Sequence, residues 1–292
     1  MNSFIIGLGL FAIFILINLL RMYRKFKEIG SAGTAKGTKK ITQDEFNQSM
    51  AGAKEAVDGG DIEKAIKIID NMLLRISMVS QQDFYGKAME TRGDCYHRLA
   101  AKDGNVEDFN RAEAAYRLAL RAFGQTNALN QAASMQTNLG NLYIGLSQIM
   151  DSEANLEKAI EAFDESLGFF TVGNSPEKHA RNQVSIGIAR SELAERVDKR
   201  ENLIHAMRAY GEALKIYKPE KHLMEHAVIL SNLGNSFFSF SEVQEKEKFL
   251  ARAVQAYNQS LKVLTEEKHP ELYGKIKSYL DQVNDRLTQA EE

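Results

Sequence analysis

The residues with the most recognisable chemical spacing are two histidines and a glutamate in the second half of the chain. His222, Glu225 and His226 have the spacing H-x-x-E-H. On a helix this spacing places two imidazoles one turn apart beside a carboxylate that can act as a base, as in one class of zinc hydrolase. Catalytic zinc is therefore the first chemistry to weigh against the rest of the chain.

The histidines themselves recur at a fixed distance. His226 follows His179 by 47 residues, and His269 follows His222 by 47 residues. A residue that recurs once per structural unit is more typical of a helix start than of a metal ligand. The sequence also places no third ligand. A zinc-dependent hydrolase is thus the least favoured reading, and we expect no enzymatic activity, metal or cofactor.

The same distance separates four whole columns of residues, and these define the elements that position the histidines. Glycine, alanine, an aromatic residue and leucine each recur four times at intervals of 47 residues. A fixed period of this length without an insertion indicates a stacked repeat architecture. The columns are Gly93, Gly140, Gly187 and Gly234; Ala112, Ala159, Ala206 and Ala253; Tyr116, Phe163, Tyr210 and Tyr257; and Leu120, Leu167, Leu214 and Leu261.

Each repeat is predicted to contain two helices. The glycine lies in an apolar first helix, as between Asn138 and Leu146, while alanine, the aromatic residue and leucine are spaced i, i+4 and i+8 in the second. That spacing places all three on one helical face. We expect glycine and alanine at the crossing of the two helices, where only short side chains fit, and the larger residues between one pair and the next.

These columns resemble the tetratricopeptide repeat family, whose units carry a small residue and an aromatic residue at comparable positions. The resemblance covers roughly Thr42 to Leu264, and it implies an all-α, right-handed solenoid of helical hairpins. We expect five repeats over residues 42–267 and a capping helix over 268–292. The usual repeat has about 34 residues, so these units are elongated. The chain departs from the family in lacking tryptophan.

The N-terminus has a different composition. Residues 4–20 carry no charge and are rich in Phe, Ile and Leu. As a helix this segment would span about 26 Å, enough to cross a membrane. Basic residues follow the segment and none precedes it, which disfavours the alternative of a cleaved signal peptide. We therefore expect a single transmembrane helix over residues 1–23 and a basic flexible linker over 24–41, with the repeats in the cytoplasm.

Bulk composition excludes one class of partner. The formal net charge is −2, and no Lys/Arg cluster on the repeats is interleaved with aromatic residues. Nucleic-acid binders normally carry a basic surface that neutralises phosphates. Nucleic acid is thus not an expected partner.

The resemblance also indicates which residues face a ligand, because the first helices of similar repeat proteins line a concave groove. Two asparagine pairs flank the glycine column there, and an amide can both donate to and accept from a peptide backbone. The alternative is that these amides hold neighbouring helices together. The predicted partner-binding set also includes one cation and two apolar residues: Asn138, Asn141, Arg181, Ile188, Asn232, Asn235 and Phe238.

Together these expectations describe a membrane-anchored scaffold or adaptor that binds a peptide or a partner protein in its groove on the cytoplasmic face. Bacterial inner-membrane repeat proteins look similar, and that membrane is favoured over an organelle membrane. The main alternative is a structural scaffold that self-associates at the membrane.

Overall fold

The chain is helical throughout the part that the structure describes. The computed structural model describes residues 39–291, where it contains eleven helices and no strand. The predicted all-α class is therefore confirmed for these residues. The helices are α1 (Gln43–Asp58), α2 (Ile62–Leu73), α3 (Gln82–Asp103), α4 (Val106–Gln125), α5 (Leu129–Ser147), α6 (Ser152–Leu167), α7 (Pro176–Ala194), α8 (Lys199–Ile216), α9 (Leu223–Phe240), α10 (Lys246–Leu261) and α11 (Pro270–Glu291).

The membrane anchor predicted for residues 1–23 and most of the basic linker predicted for 24–41 lie outside the described residues. Between residues 39 and 291, none of the helices combines the length and the apolar character that a membrane crossing requires.

The described residues form two compact units that divide between Cys95 and Tyr96, within α3. In the first unit α1 packs against α2. A capping box opens α1: Thr42 accepts from the backbone N–H of Glu45 and donates its own backbone N–H to the Glu45 carboxylate. That backbone bond, together with one from the Arg75 guanidinium, lowers the pKa of Glu45 to about 2. The start of the helix is thus fixed by complementary hydrogen bonds.

In the second unit, consecutive helices pack as hairpins. The first helices are α5, α7 and α9, and each packs against the second helix that follows it, which is α6, α8 or α10. Contacts also join α5 to α7, α7 to α9 and α9 to α11, whereas no two second helices approach each other in the described part of this unit. The unit is therefore a repeat-like helical solenoid in which the first helices lie closer together than the second helices.

The last helix lies in the range predicted for a cap. Ile276, Leu280 and Val283 of α11 are buried against a cluster that includes Leu250 and Tyr257 of α10. The residues between them in α11 are mostly exposed. The helix thus covers the apolar surface of the last hairpin with one face and presents a polar face to water.

The glycine and aromatic columns meet within each hairpin. Three glycines of the first helices leave so little room that a Cβ atom would lie 2.5 to 2.7 Å from an aromatic ring of the second helix. The sequence placed these rings between one hairpin and the next, whereas the structure seats each ring on the glycine of its own hairpin. The pairs are Gly140 with Phe163, Gly187 with Tyr210, and Gly234 with Tyr257.

The alanine column is fully buried, and the leucine column is half-buried. Each of the four alanines has a relative exposure of 0%, so a larger side chain would meet closely packed neighbours. Gly93, the first member of the glycine column, is also buried.

The turns between first and second helices share a left-handed backbone conformation that the sequence did not reveal. A residue with φ between 44° and 66° recurs every 47 residues at this turn. Glycine adopts this conformation freely, whereas other residues pay about 1 to 2 kcal/mol for it, Asp somewhat less than most. The four residues are Gly104, Asp151, Asp198 and Glu245.

Two of these turns are held from the following helix. Asn155 donates its side-chain amide to the Met150 carbonyl at 2.9 Å, and Asn202 does the same to the Val197 carbonyl at 2.9 Å. Both asparagines are buried. At the equivalent position of the last repeat stands Phe249, which packs against Phe240 instead of binding the turn.

Glu245→Gly should stabilise the second unit, because glycine adopts the left-handed conformation without the strain that a glutamate incurs there. The larger entropy of glycine in the unfolded chain offsets part of the gain, which leaves about 0.5 to 1 kcal/mol. Urea unfolding followed by circular dichroism would show a higher midpoint. Glu247→Gly, two residues further and inside α10, is the matched control and should lower the midpoint. A lower midpoint for the Glu245 variant would show that this turn is not strained.

Candidate functional site

A small pocket opens between α5 and α7, on the side of the second unit that the first helices form. Its volume is about 120 Å³. Asn138 and Arg181 of the predicted groove set both line it, so the structure brings these two together. The full lining consists of Ser134, Thr137, Asn138, Phe170, Lys178, Arg181 and Asn182.

Thr137 and Asn182 of the pocket lining belong to a network of three polar side chains from three helices. Asn182 of α7 donates to the Ser166 hydroxyl of α6 at 2.9 Å, and Thr137 of α5 donates to the Asn182 carbonyl oxygen at 3.1 Å. The Ser166 and Thr137 hydroxyls lie 2.8 Å apart, and Ser166 also reaches the Ala133 carbonyl at 2.9 Å. Ser166 and Asn182 are almost fully buried. All three side chains are thus satisfied, and they join α5, α6 and α7.

Among the described repeats, Asn182 has no polar counterpart, although the serine bond recurs where Ser260 donates to the Ala227 carbonyl at 2.8 Å. In the next repeat, 47 residues later, Thr137, Ser166 and Asn182 are replaced by apolar residues. The sequence reasoning missed Asn182, although a single asparagine in an otherwise apolar column was the available signal. The replacing residues are Val184, Ala213 and Ile229.

Two cations stand at the rim of the pocket. The Lys178 ammonium lies 4.3 Å from the centre of the Phe170 ring and donates to the Asn130 side chain at 3.0 Å. It also lies 3.5 Å from the Ser134 hydroxyl. Arg181 is exposed and has no hydrogen-bond or ion-pair partner among the described residues. Since no carboxylate lines the pocket, the charge of its lining is uncompensated.

The four predicted asparagines have different environments. Asn235 accepts a hydrogen bond of 2.6 Å from the Tyr257 hydroxyl, so its amide holds α9 to α10. Asn141 occupies the equivalent position 94 residues earlier, where the aromatic residue is Phe163 and offers no hydroxyl. Asn141 is exposed, and its side chain has no partner among the described residues. Whether this asparagine is hydrogen-bonded thus depends on whether the aromatic residue of its hairpin carries a hydroxyl.

The other two asparagines are half-buried. Neither Asn138 nor Asn232 has a side-chain hydrogen-bond partner among residues 39–291. Asn138 lies in the pocket, while the Asn232 backbone carbonyl accepts from the Ser236 hydroxyl at 3.2 Å. Their amides are available to another molecule.

The two apolar residues of the predicted set are partly covered. Ile188 packs against the buried cluster around Ala180 and Tyr210. Phe238 packs against the cluster that α11 completes, and the Arg286 guanidinium lies 4.5 Å from the centre of its ring. Both side chains are half-buried, so part of each is engaged in the fold.

The histidines of the H-x-x-E-H segment have structural partners. His226 donates from Nδ1 to the Tyr217 carbonyl at 2.8 Å, and His179 donates likewise to the Phe170 carbonyl at 3.0 Å. A carbonyl only accepts, so Nδ1 carries the proton in both. The same bond thus fastens the start of a first helix to the end of the preceding second helix in two successive repeats.

The remaining histidine of the segment precedes α9. His222 packs edge-on against the Tyr217 ring, with 5.1 Å between ring centres, and its Nε2 lies 4.0 Å from a Glu177 carboxylate oxygen. Glu225 is exposed. Among residues 39–291, no group of three or more His, Cys, Asp or Glu side chains is arranged to hold a metal ion.

A wider groove of about 670 Å³ lies between α6 and α7. Burial raises the pKa of Asp164 there, and Arg190 across the groove opposes the shift. Arg190 itself donates to the Asn202 side chain at 3.0 Å. The lining thus holds four carboxylates beside one arginine, so the groove is acidic. Its lining is Glu157, Ile160, Glu161, Asp164, Glu165, Arg190 and Leu193.

Comparison with known proteins adds no relative. No known family matches the chain. No curated protein matches it at a significant level. The resemblance to tetratricopeptide repeats thus rests on the residue columns, and the candidate site rests on its geometry.

Proposed function

We propose that this protein is a membrane-anchored scaffold of the tetratricopeptide type, whose row of first helices binds a segment of a partner protein. The observation that carries the proposal is the pocket between α5 and α7. Asn138 and Arg181 reach it with polar groups that have no partner in the described chain. Polar groups that are accessible, unpaired and held on packed helices are suited to binding a peptide.

The proposed arrangement of the repeats agrees with the packing of the second unit. The first helices lie closer together than the second helices, as expected if they line the concave side of a right-handed solenoid. In this proposal five repeats span residues 42–267 and α11 closes the array. An extended segment would then lie across several first helices in turn.

The proposed location follows from the N-terminal sequence. The uncharged residues 4–20 and the basic residues after them favour a single membrane span with the repeats in the cytoplasm. A bacterial inner membrane fits this order of parts. The scaffold would then hold its partner close to the membrane surface.

Changing Asn138 and Asn141 together to alanine should weaken partner binding, because both amides are free for a ligand. Partners are identified by crosslinked affinity purification of the full-length protein from membranes, followed by mass spectrometry. Loss of two hydrogen bonds to a peptide should lower recovery by about tenfold. The unfolding midpoint should stay unchanged.

Asn235→Ala is the matched control. It leaves the buried Tyr257 hydroxyl unpaired, so it should lower the free energy of unfolding by about 1 kcal/mol while recovery of the partner changes little. Equal recovery from the wild type and the Asn138, Asn141 variant would count against the first-helix face as the binding surface.

A further inference from the structure

We infer that the segment bound by the first helices is acidic where it crosses α5 and α7 and apolar where it crosses α7 and α9. The inference rests on the proposed function, because it specifies the ligand of the same face. Its basis is a change of charge or polarity at three equivalent positions of two successive repeats.

The α5–α7 pocket has the chemistry of a carboxylate site. Arg181 offers a planar fork of donors and has no partner, and Lys178 is bonded only to the neutral Asn130 and Ser134 side chains. A guanidinium binds a carboxylate through two parallel hydrogen bonds, and an ammonium adds a point charge. Asn138 lies beside them and can bind the peptide backbone.

The polar network next to these cations needs no hydrogen bond from the ligand. Thr137, Ser166 and Asn182 satisfy one another, as described above. The unused hydrogen-bonding capacity therefore lies at the rim. Because the network joins α5, α6 and α7, it also holds the two rim cations of α7 at a fixed distance from Asn138 on α5.

Three of the equivalent positions one repeat later differ in charge or polarity, while Arg181 itself stands in place of Ser134. Val228 stands in place of Arg181, Val184 in place of Thr137, and Glu225 in place of Lys178. Both valines are half-buried, and Glu225 is exposed. An apolar side chain gains from contact with the valines, whereas a carboxylate is repelled by Glu225. The two subsites together select one register of the bound segment.

The distance between the subsites sets the spacing in the ligand. Packed helices lie about 8 to 10 Å apart, and an extended chain advances about 3.3 Å per residue. The acidic and apolar groups should thus be separated by about three residues. A peptide supplies both groups, whereas a free phosphate or a nucleic-acid backbone uses the cations and gains nothing from Val184 and Val228.

The test is fluorescence anisotropy of labelled peptides with the full-length protein in detergent micelles. Each probe has about twelve residues, which covers about 40 Å. One set has a run of aspartates and a run of leucines about three residues apart, in both orders. Matched sets replace aspartate by asparagine, or leucine by serine. The probe with both runs should bind about tenfold more tightly than either matched peptide, and salt should weaken it.

Arg181→Glu should reduce binding of the acidic probe by about tenfold and should favour a probe with lysine in place of aspartate. Arg208→Glu, at an exposed arginine of the second helix α8, is the control and should change neither. Equal binding of the aspartate and asparagine probes would overturn the inference. If the Asn138, Asn141 variant still lost its partner, the proposed function would stand. If that variant kept its partner and no probe bound, both the proposed function and this inference would be wrong.

Discussion

Gly140→Leu should prevent the second unit from reaching its native packing. A Cβ atom on Gly140 would lie 2.6 Å from the Phe163 ring, which is itself fully buried. Neither partner can withdraw, because the ring is enclosed and the glycine belongs to the backbone of α5. Overpacking by a methyl group costs about 1 to 3 kcal/mol, and leucine adds three more carbon atoms. We expect a loss above about 3 kcal/mol, measured by urea unfolding.

The graded form of this experiment is Gly140→Ala beside Gly211→Ala. Gly211 lies within α8 and has no atom within 4 Å of the position a Cβ would take. Alanine there should raise the free energy of unfolding by about 0.5 to 1 kcal/mol, since it favours the helix. Phe163→Leu should make Gly140→Ala less costly than it is alone. Equal unfolding midpoints for the two alanine variants would show that the Phe163 ring moves aside to make room for the added methyl group.

Asn182→Ile should destabilise the second unit by about 1 to 3 kcal/mol, because it leaves the Thr137 and Ser166 hydroxyls without their amide partner inside the protein. The triple variant Thr137→Val, Ser166→Ala and Asn182→Ile should be within about 1 kcal/mol of the wild type. It copies the apolar set that the next repeat already uses at these positions. Chemical unfolding of the single and triple variants decides the point.

The comparison is informative because three substitutions are expected to do less harm than one. Burial of an unpaired polar group is costly, whereas replacing a whole network by apolar groups of similar shape is close to neutral. If the losses of unfolding free energy from the three single substitutions simply add up in the triple variant, the three side chains do not act as one network. Ser166→Ala serves as a further control, since the other two side chains still bond to each other.

The helical hairpins could be predicted from the sequence because spacing determines which side chains share a helix face. Ala159 and Phe163 stand four residues apart, so both are buried on the same side of α6. The period of 47 residues then placed equivalent residues at equivalent depth in each repeat. This part of the fold follows from the local geometry of a helix, which recurs in each repeat.

Contacts between helices were harder to predict from the sequence. Asn141 and Asn235 stand in the same four-residue pattern, NLGN. Their different environments depend on whether the ring packed on the adjacent glycine carries a hydroxyl, as Tyr257 does and Phe163 does not. The contact had to be known before that difference could be interpreted. Lys178 was missed for the same reason, since its position beside Phe170 depends on how α7 begins.

The left-handed turns between first and second helices limit how this protein can change in length over evolution. The conformation persists whether the residue is Gly104, Asp151, Asp198 or Glu245, so the packing of the two flanking helices imposes it. One inserted or deleted residue would shift the second helix out of register with its glycine. Insertions and deletions should therefore be tolerated as complete hairpins of 47 residues. Homologous arrays would then offer a partner a larger or smaller number of subsites at unchanged spacing.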